Sequence, residues 1–206
     1  NNAGQDICDI VNNEGFDFLL VGSGISMSDS PDDIAATRYR TSFYNRYFKR
    51  FKAPESWFYP GALLKDKTKM FIARSNCDVG VFINRNFVKA TNTLVVISSE
   101  EDLFLLDYTR TLLKATHGSV GIVAKMSTTT PGHDQILKEL WDFVSSIPQT
   151  QLLPDKDLTP GLFNSYNFML IGYNTWNDVS EHRKEALQKM PSTLILNKNK
   201  RSSSDN

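Results

Sequence analysis

One apolar strand pattern occurs twice in this sequence, first as Phe16-Asp-Phe-Leu-Leu-Val-Gly22 and again as Tyr166-Asn-Phe-Met-Leu-Ile-Gly172. Nearly continuous apolar runs of this length are typical of strands that are buried on both faces of a parallel sheet. Each copy is followed along the chain by a helical pattern and then by another apolar strand. The repeat therefore predicts the same α/β unit twice.

The spacing within the two copies differs. Gly22 and Gly172 are 150 residues apart, whereas Asp78 and Ser192, which precede the second strand of each copy, are 114 apart. The difference of 36 residues predicts an insertion after Gly22. We expect a first unit at 1–90 with an insertion at 25–60, a second unit at 91–199 and a polar tail at 200–206.

The second copy is preceded by further strands and helices at 93–147 that the first copy lacks, so the first unit is N-terminally incomplete. Strands alternating with helices predict an α/β fold of two Rossmann-like units with mainly parallel sheets, packed as a pseudo-symmetric pair.

The predicted strands are 16–21, 79–83, 93–98, 120–124, 168–171 and 193–196. The predicted helices are one ending near Gly15 and those at 61–75, 100–116 (Ser99 as N-cap, Gly118 as stop), 135–146 and 180–190. Three prolines predict a loop at 149–162.

The overall charge argues against nucleic acid as a partner. Lys plus Arg and Asp plus Glu number 23 each, so no net field draws the chain towards a polyanion. The two cysteines, Cys8 and Cys77, lack the spacing of a zinc site or a disulfide framework and are expected to be buried thiols. The apolar stretches are far shorter than the roughly 20 residues that cross a bilayer.

The glycines that end the repeated strand are candidate cofactor-binding positions, because open α/β sheets bind ligands at the carboxyl ends of their strands. Gly22, Ser23 and Gly24 offer small side chains and free amides for a phosphate. In the second copy Gly172 is followed by Tyr173, which could fill the crevice or stack on a base. The alternative is a turn that needs glycine for its backbone conformation alone.

A basic and aromatic segment at 38–52 is a candidate interface helix. Its aromatic residues recur at helical spacing and form one stripe, while basic residues fill the rest. It could contact anionic lipid headgroups or a partner, or pack on its own domain or across a dimer. The interface residues we single out are Tyr39, Phe43, Tyr47, Arg46, Lys49 and Arg50.

The sequence predicts neither a catalytic nor a metal site. His117, His133 and His182 lie on three different predicted elements and lack metal-ligand spacing. There is no nucleophile elbow and no pair of carboxylates placed for acid–base work. We therefore expect a protein that is not an enzyme.

Cys77-Asp-Val-Gly-Val-Phe-Ile-Asn-Arg85 is followed by an apolar strand and by Glu100-Glu101-Asp102 at the start of a helix. This order resembles the cytosolic tail of fungal and plant monovalent cation/proton antiporters, in which two universal-stress-protein-like units lie in tandem. The join between those units typically reads Cys-Ser-Val-Gly-Ile-Leu-Val-Asp-Arg. The resemblance covers most of residues 6–197 outside the insertion and is most specific at 77–102.

The resemblance implies a non-catalytic regulatory domain of a fungal potassium/proton antiporter, on the cytosolic face of an internal membrane (Golgi, endosomal or vacuolar). The implied partners are the transmembrane part of the same polypeptide and a second copy, through the terminal strands. Stress proteins that bind ATP carry a motif in which Gly-x-x-Gly is followed, after nine further residues, by Gly-Ser or Gly-Thr. Here Gly24 leads into the insertion instead, which argues against the usual ATP site. A nucleotide-binding module, and a docking module that uses 38–52, are the alternatives.

Overall fold

The computed structural model describes residues 3–22, 67–154, 158–182 and 189–199. The strands are β1 (Phe18–Gly22), β2 (Asp78–Ile83), β3 (Asn92–Ile97), β4 (Ser119–Ala124), β5 (Thr150–Pro154), β6 (Phe168–Gly172) and β7 (Ser192–Asn197). The helices are α1 (Ala3–Glu14), α2 (Lys67–Arg74), α3 (Leu105–Thr116), α4 (His133–Ser146), α5 (Pro160–Phe163) and α6 (Tyr173–His182), with a 3-10 turn at Glu100–Asp102. Within these ranges no helix is long and apolar enough to cross a bilayer.

All seven strands form one sheet in the order β1-β2-β7-β6-β3-β4-β5. Neighbouring strands are parallel except β2 and β7, which pair antiparallel with Gly80 opposite Leu196. As a result β1 and β2 run opposite to the other five strands. The predicted α/β fold with a mainly parallel sheet is confirmed, while its division into two units stays a prediction.

Helices cover both faces of the sheet. On the front face, Phe168 and Leu170 of β6 are buried in one apolar cluster with Leu105 of α3 and Leu140 of α4. On the rear face, buried residues of the same sheet pack with α5 and α6 in a second cluster, whose largest member is Trp176. A third, smaller cluster joins α1 and α2 to the rear of β1 and β2.

The chain after β3 departs from the predicted single helix at 100–116. It forms the 3-10 turn first and then α3, which ends at Thr116 as predicted; its C-cap is His117, in the left-handed region with φ 52°, rather than Gly118. Gly118 has a different reason to be glycine, because a Cβ there would lie 2.4 Å from the carbonyl oxygen of Thr91. The predicted helix at 61–75 is confirmed over α2, while 61–66 lies outside the described residues.

Two other predictions were wrong. The predicted loop at 149–162 contains β5 and α5. Proline is compatible with both, because β5 is an edge strand that ends at Pro154, and Pro160 occupies the first turn of α5. The helix predicted at 180–190 begins at Tyr173 and is described to His182, and Met190 lies outside any helix. Its apolar face comes from the fully buried Trp176 and Val179, which both precede the predicted start of the helix at residue 180.

Candidate functional site

The glycines of the repeated strand lie at opposite ends of the strands, because β1, at the edge of the sheet, runs antiparallel to β6, at its centre. Gly172 is buried at the end of β6, and the half-buried Tyr173 begins α6. Gly22 is exposed at the end of β1, which runs antiparallel to β6. The structure therefore does not bring Gly22 and Gly172 together into one site. Ser23 and Gly24 lie outside the described residues.

The candidate interface helix also lies outside the described residues. This applies to all six side chains singled out from the sequence. Contact with lipid or with a partner through this segment stays a prediction. The six residues are Tyr39, Phe43, Tyr47, Arg46, Lys49 and Arg50.

The carboxyl ends of β3 and β6 form the crevice at which this fold class binds ligands. The two strands are neighbours and parallel, and the chain leaves them towards opposite faces of the sheet. After β3 it enters the 3-10 turn and α3 on the front face, and after β6 it enters α6 on the rear face. A change of direction between adjacent strands opens the crevice in doubly wound sheets.

The side chain of Asp102 occupies this crevice. Asp102 is only 2% exposed. One carboxylate oxygen, Oδ2, accepts hydrogen bonds from the backbone amides of Ser98 (2.8 Å) and Ser99 (3.2 Å) and from the hydroxyl of Thr175 (2.6 Å). The Ser98 hydroxyl lies 3.1 Å from the same oxygen and within hydrogen-bonding distance of the Thr175 hydroxyl. The carboxylate thus binds β3 to the first turn of α6.

Gly172 is glycine because the Asp102 carboxylate lies directly over it. A Cβ at Gly172 would come within 2.0 Å of Oδ1 of Asp102, and 3.1 Å from its Cγ. The front face of β6 at this point has room for a carboxylate only because the strand has no side chain there. The strand-ending glycine singled out from the sequence therefore accommodates an acid of the same chain.

Asp102 was not among the site residues predicted from the sequence. It stands among three acids at the start of a predicted helix, where acids are common on electrostatic grounds alone. A usable signal was Ser99 followed three residues later by an acid, the spacing of a capping box. That spacing predicts the bond to the Ser99 amide but not the bond to Thr175, which is 73 residues away along the chain.

The surroundings of the crevice are rich in acids. A small cavity of about 200 Å³ beside it contains Glu101, whose carboxylate accepts a 2.8 Å hydrogen bond from the Asn174 side chain. A wider, open cleft of about 710 Å³ lies between α3 and α4. Its charged lining residues are Glu100, Glu101, Asp107, Glu139, Asp142, Arg110 and Lys198.

A second hydrogen-bonded contact, which is partly buried, lies at the start of β2. The Tyr108 hydroxyl of α3 donates a 2.8 Å hydrogen bond to Asp78, which also accepts one from the Asn199 amide. Burial, followed by this hydrogen bond and the charge of Asp78, raises the pKa of Tyr108 well above its ordinary value. Burial and the Asp78 charge also raise the pKa of the Cys77 thiol, which disfavours its thiolate form. Cys8 and Cys77 are free and buried, as the sequence predicts.

No protein-family model matches this chain, and no curated protein sequence matches it. Several solved structures are similar to this chain, and three of them are similar across almost all of it. The first is a universal stress protein from Archaeoglobus fulgidus, with a TM-score of 0.52, 12% identity and coverage of 96% of this chain and 66% of that one. The fold is that of the universal stress proteins.

The other two solved structures agree. One, from Pseudomonas aeruginosa UCBPP-PA14, is described as a universal stress protein; its TM-score is 0.52 at 11% identity, with 97% of this chain and 69% of that one covered. The other is a protein of unknown function from P. aeruginosa PAO1, with a TM-score of 0.50, 11% identity and the same coverage. This chain spans about two thirds of the length of these proteins. The similarity confirms the predicted universal-stress-protein-like fold.

Proposed function

We propose that this chain is a non-catalytic regulatory domain of a membrane potassium/proton antiporter, acting on the cytosolic face through dimerisation or the binding of a small ligand. The stress-protein fold agrees with the resemblance to antiporter tails. The segment that carries the resemblance, residues 77–102, forms β2, β3 and the turn that bears Asp102. It therefore contributes both the antiparallel join to β7 and the acid in the crevice.

The observation that supports a non-catalytic role is the position of the Asp102 carboxylate. A phosphate bound at this crevice would use the free backbone amides at the carboxyl end of β3. The amides of Ser98 and Ser99 already donate to Asp102. An internal anion thus takes the place of an external one.

Electrostatics acts in the same direction. A phosphate that displaced Asp102 from these amides would still lie beside its negative charge, with Glu100 and Glu101 next to it in sequence. Two like unit charges about 4 Å apart repel each other by about 4 kcal/mol when the effective dielectric constant is about 20. This repulsion disfavours the binding of a phosphate beside Asp102. Nucleotide binding, the alternative function, is therefore the less favoured one.

Calorimetric titration of the whole chain with ATP, ADP and AMP tests the choice between these functions. We expect no heat of binding at micromolar nucleotide for the unmodified chain, and none for Gly22→Val. Micromolar binding that Gly22→Val abolishes would assign a nucleotide site to the first copy. Micromolar binding that Gly172→Val abolishes would place it at the crevice. Either outcome would favour the alternative, a nucleotide-binding domain of the same fold.

Potassium/proton exchange in sealed vesicles tests the regulatory role. An antiporter that carries this chain as its tail is compared with the same antiporter without it, at equal amounts of protein in the membrane. We expect the pH dependence or the rate of potassium-driven proton flux to change when the chain is removed. Identical flux over the whole pH range would show that the chain does not regulate transport.

A further inference from the structure

The open cleft between α3 and α4 has an apolar floor. Leu106 and Phe143 form its deepest part and are 8% and 2% exposed, and the half-buried Leu103 and Phe104 lie beside them. All but one of the residues that line the cleft belong to the continuously described segment 100–146. The cleft is therefore formed within the second half of the sheet, by two helices that pack side by side on its front face.

The rim of this cleft is acidic, and we call it the acidic cleft. Its carboxylates are those of Glu100, Glu101, Asp107, Glu139 and Asp142. These five acids face only two bases, Arg110 and Lys198, so the lining has a net charge of −3. Among the described residues, Glu100 and Asp142 form no ion pair. A cleft lined mainly by one sign of charge attracts a ligand of the opposite sign.

Arg110 shows how the acidic cleft holds a cation. Its guanidinium lies 5.1 Å from the centroid of the Phe143 ring and 3.5 Å from the Asp107 carboxylate. Arginine suits both contacts, because its planar group stacks on aromatic rings and pairs with carboxylates. A ligand that combines basic and aromatic side chains would extend this arrangement along the cleft.

The sequence contains a segment with these properties. Residues 38–52 carry six basic and six aromatic side chains and no acid. The whole chain has no net charge, so an excess of acid elsewhere balances the segment, and the acidic cleft is one place where that excess is concentrated.

The connections on either side of the segment are long enough to reach the cleft. Residues 23–37 and 53–66 number 15 and 14, and a chain of this length spans up to about 45 Å. A domain of 206 residues has a radius of gyration of only about 17 Å. Chain length therefore permits the segment to reach any part of its own surface.

We propose that residues 38–52 bind in the acidic cleft of their own chain, with the aromatic stripe on the apolar floor and the basic side chains on the acidic rim. Burial of aromatic side chains in an apolar groove supplies the affinity, and the complementary charges select this groove. The inference rests on the cleft and the composition of the segment, and it does not depend on the proposed function.

Anionic lipid headgroups and a second copy of the chain compete with the cleft for the same segment. The cleft has the advantage of being on the same chain, because tethering raises its effective concentration to about the millimolar range. A segment bound in the cleft is withheld from both competitors.

Carbodiimide crosslinking of the intact chain tests this binding, because it joins only ammonium and carboxylate groups that are in direct contact. We expect amide links between the two lysines of the segment, Lys49 and Lys52, and Asp107 on the α3 wall of the cleft. Mass spectrometry of the digested chain identifies these links.

Charge reversal on the opposite wall shows whether the cleft is responsible. Glu139→Lys together with Asp142→Lys should lower the yield of links to Asp107 at least about tenfold, because like charges then face each other. A matched control, Glu14→Lys together with Glu181→Lys, reverses two exposed helix acids outside the cleft and should leave the yield unchanged. Equal yields in the two variants would overturn the proposal.

Mixing unlabelled chains with chains labelled with heavy nitrogen distinguishes the occupants. Links within one chain support the proposal, whereas links mainly between labelled and unlabelled chains would overturn it, because the occupant would be a second copy. Absence of links from the intact chain would also overturn it. Sedimentation of that chain with phosphatidylserine vesicles, abolished by Arg46→Glu, Lys49→Glu and Arg50→Glu together, would then identify lipid as the partner of the segment.

Discussion

β1 and β6 are nearly the same strand in sequence and differ in almost everything that surrounds them. Phe18 corresponds to Phe168 and Leu20 to Leu170. The two side chains of β1 are exposed on the front face, yet the two side chains of β6 are buried. β1 is the edge strand of the sheet, whereas β6 lies between two parallel neighbours, β3 and β7. An apolar run therefore shows only that a strand can be buried, whereas the strands and helices beside it determine how much of it is buried.

The largest expected difference is in backbone hydrogen exchange. Amides of β6 should exchange only through global unfolding, which costs about 5 kcal/mol or more in a domain of this kind. Amides of β1 that point away from β2 should exchange from the folded state. We expect at least about a thousandfold difference in rate, measured by NMR or mass spectrometry. Equal protection of the two strands would mean that the outer edge of β1 is already paired.

Truncation of equivalent leucines sharpens the same comparison. Leu170→Ala should lower the free energy of unfolding by about 2–5 kcal/mol, because it leaves a cavity in the front cluster. Leu20→Ala should change it by about 0.5 kcal/mol or less, because the side chain is largely exposed. Chemical denaturation of both variants measures the difference. Similar losses would show that the front face of β1 is covered.

The strand-ending glycines should also respond differently. Gly172→Ala places a methyl group against the Asp102 carboxylate and should cost about 1–3 kcal/mol, whereas Gly22→Ala at the exposed end of β1 should cost less. The cause can be isolated with Asp102→Ala. In that background the added methyl at Gly172 should be tolerated better, with a coupling of about 0.5–3 kcal/mol in a double-mutant cycle. Strict additivity would exclude the Asp102 contact as the reason.

The smallest effect is expected at Tyr108, the residue by which α3 reaches β1. Tyr108→Phe should lower stability by about 1 kcal/mol at neutral pH through loss of the hydrogen bond to Asp78. The folded state raises the pKa of Tyr108 above its ordinary value of 10.0, so its stabilising effect is complete below pH 10 and is lost as pH rises further. The difference between the native chain and Tyr108→Phe should therefore shrink above pH 10. A difference that stays constant through this range would contradict the burial of the phenol.

Much of the fold could be predicted from local sequence. The apolar runs of β2, β3, β4, β6 and β7 and the amphipathic pattern of α4 predict the elements that the structure contains. Errors fell where a strand or helix depends on distant partners. Proline at 154 suggested a loop, yet β5 forms because its parallel pairing with β4 leaves an outer edge on which proline is tolerated.

The candidate site was predictable only in part. Gly172 was identified from its place at the end of a predicted buried strand, and it is the last residue of the buried strand β6; cofactor binding there stays a prediction. The occupant of that crevice, Asp102, could not be identified in the same way. Its partner Thr175 is close only after β3 and β6 pair, and no local pattern encodes that pairing.

The sequence by itself determined that one strand–glycine pattern occurs twice, that its apolar runs favour a parallel α/β sheet and that the first copy carries extra residues. The tertiary structure decided the rest. It set β1 and β6 antiparallel through the β2–β7 join, so that their glycines lie at opposite ends of the strands, and it left β1 as the edge strand of the sheet. The physical reason is that side-chain periodicity fixes which faces of a segment are apolar, whereas pairing direction and neighbours follow from hydrogen bonds and packing between residues far apart along the chain.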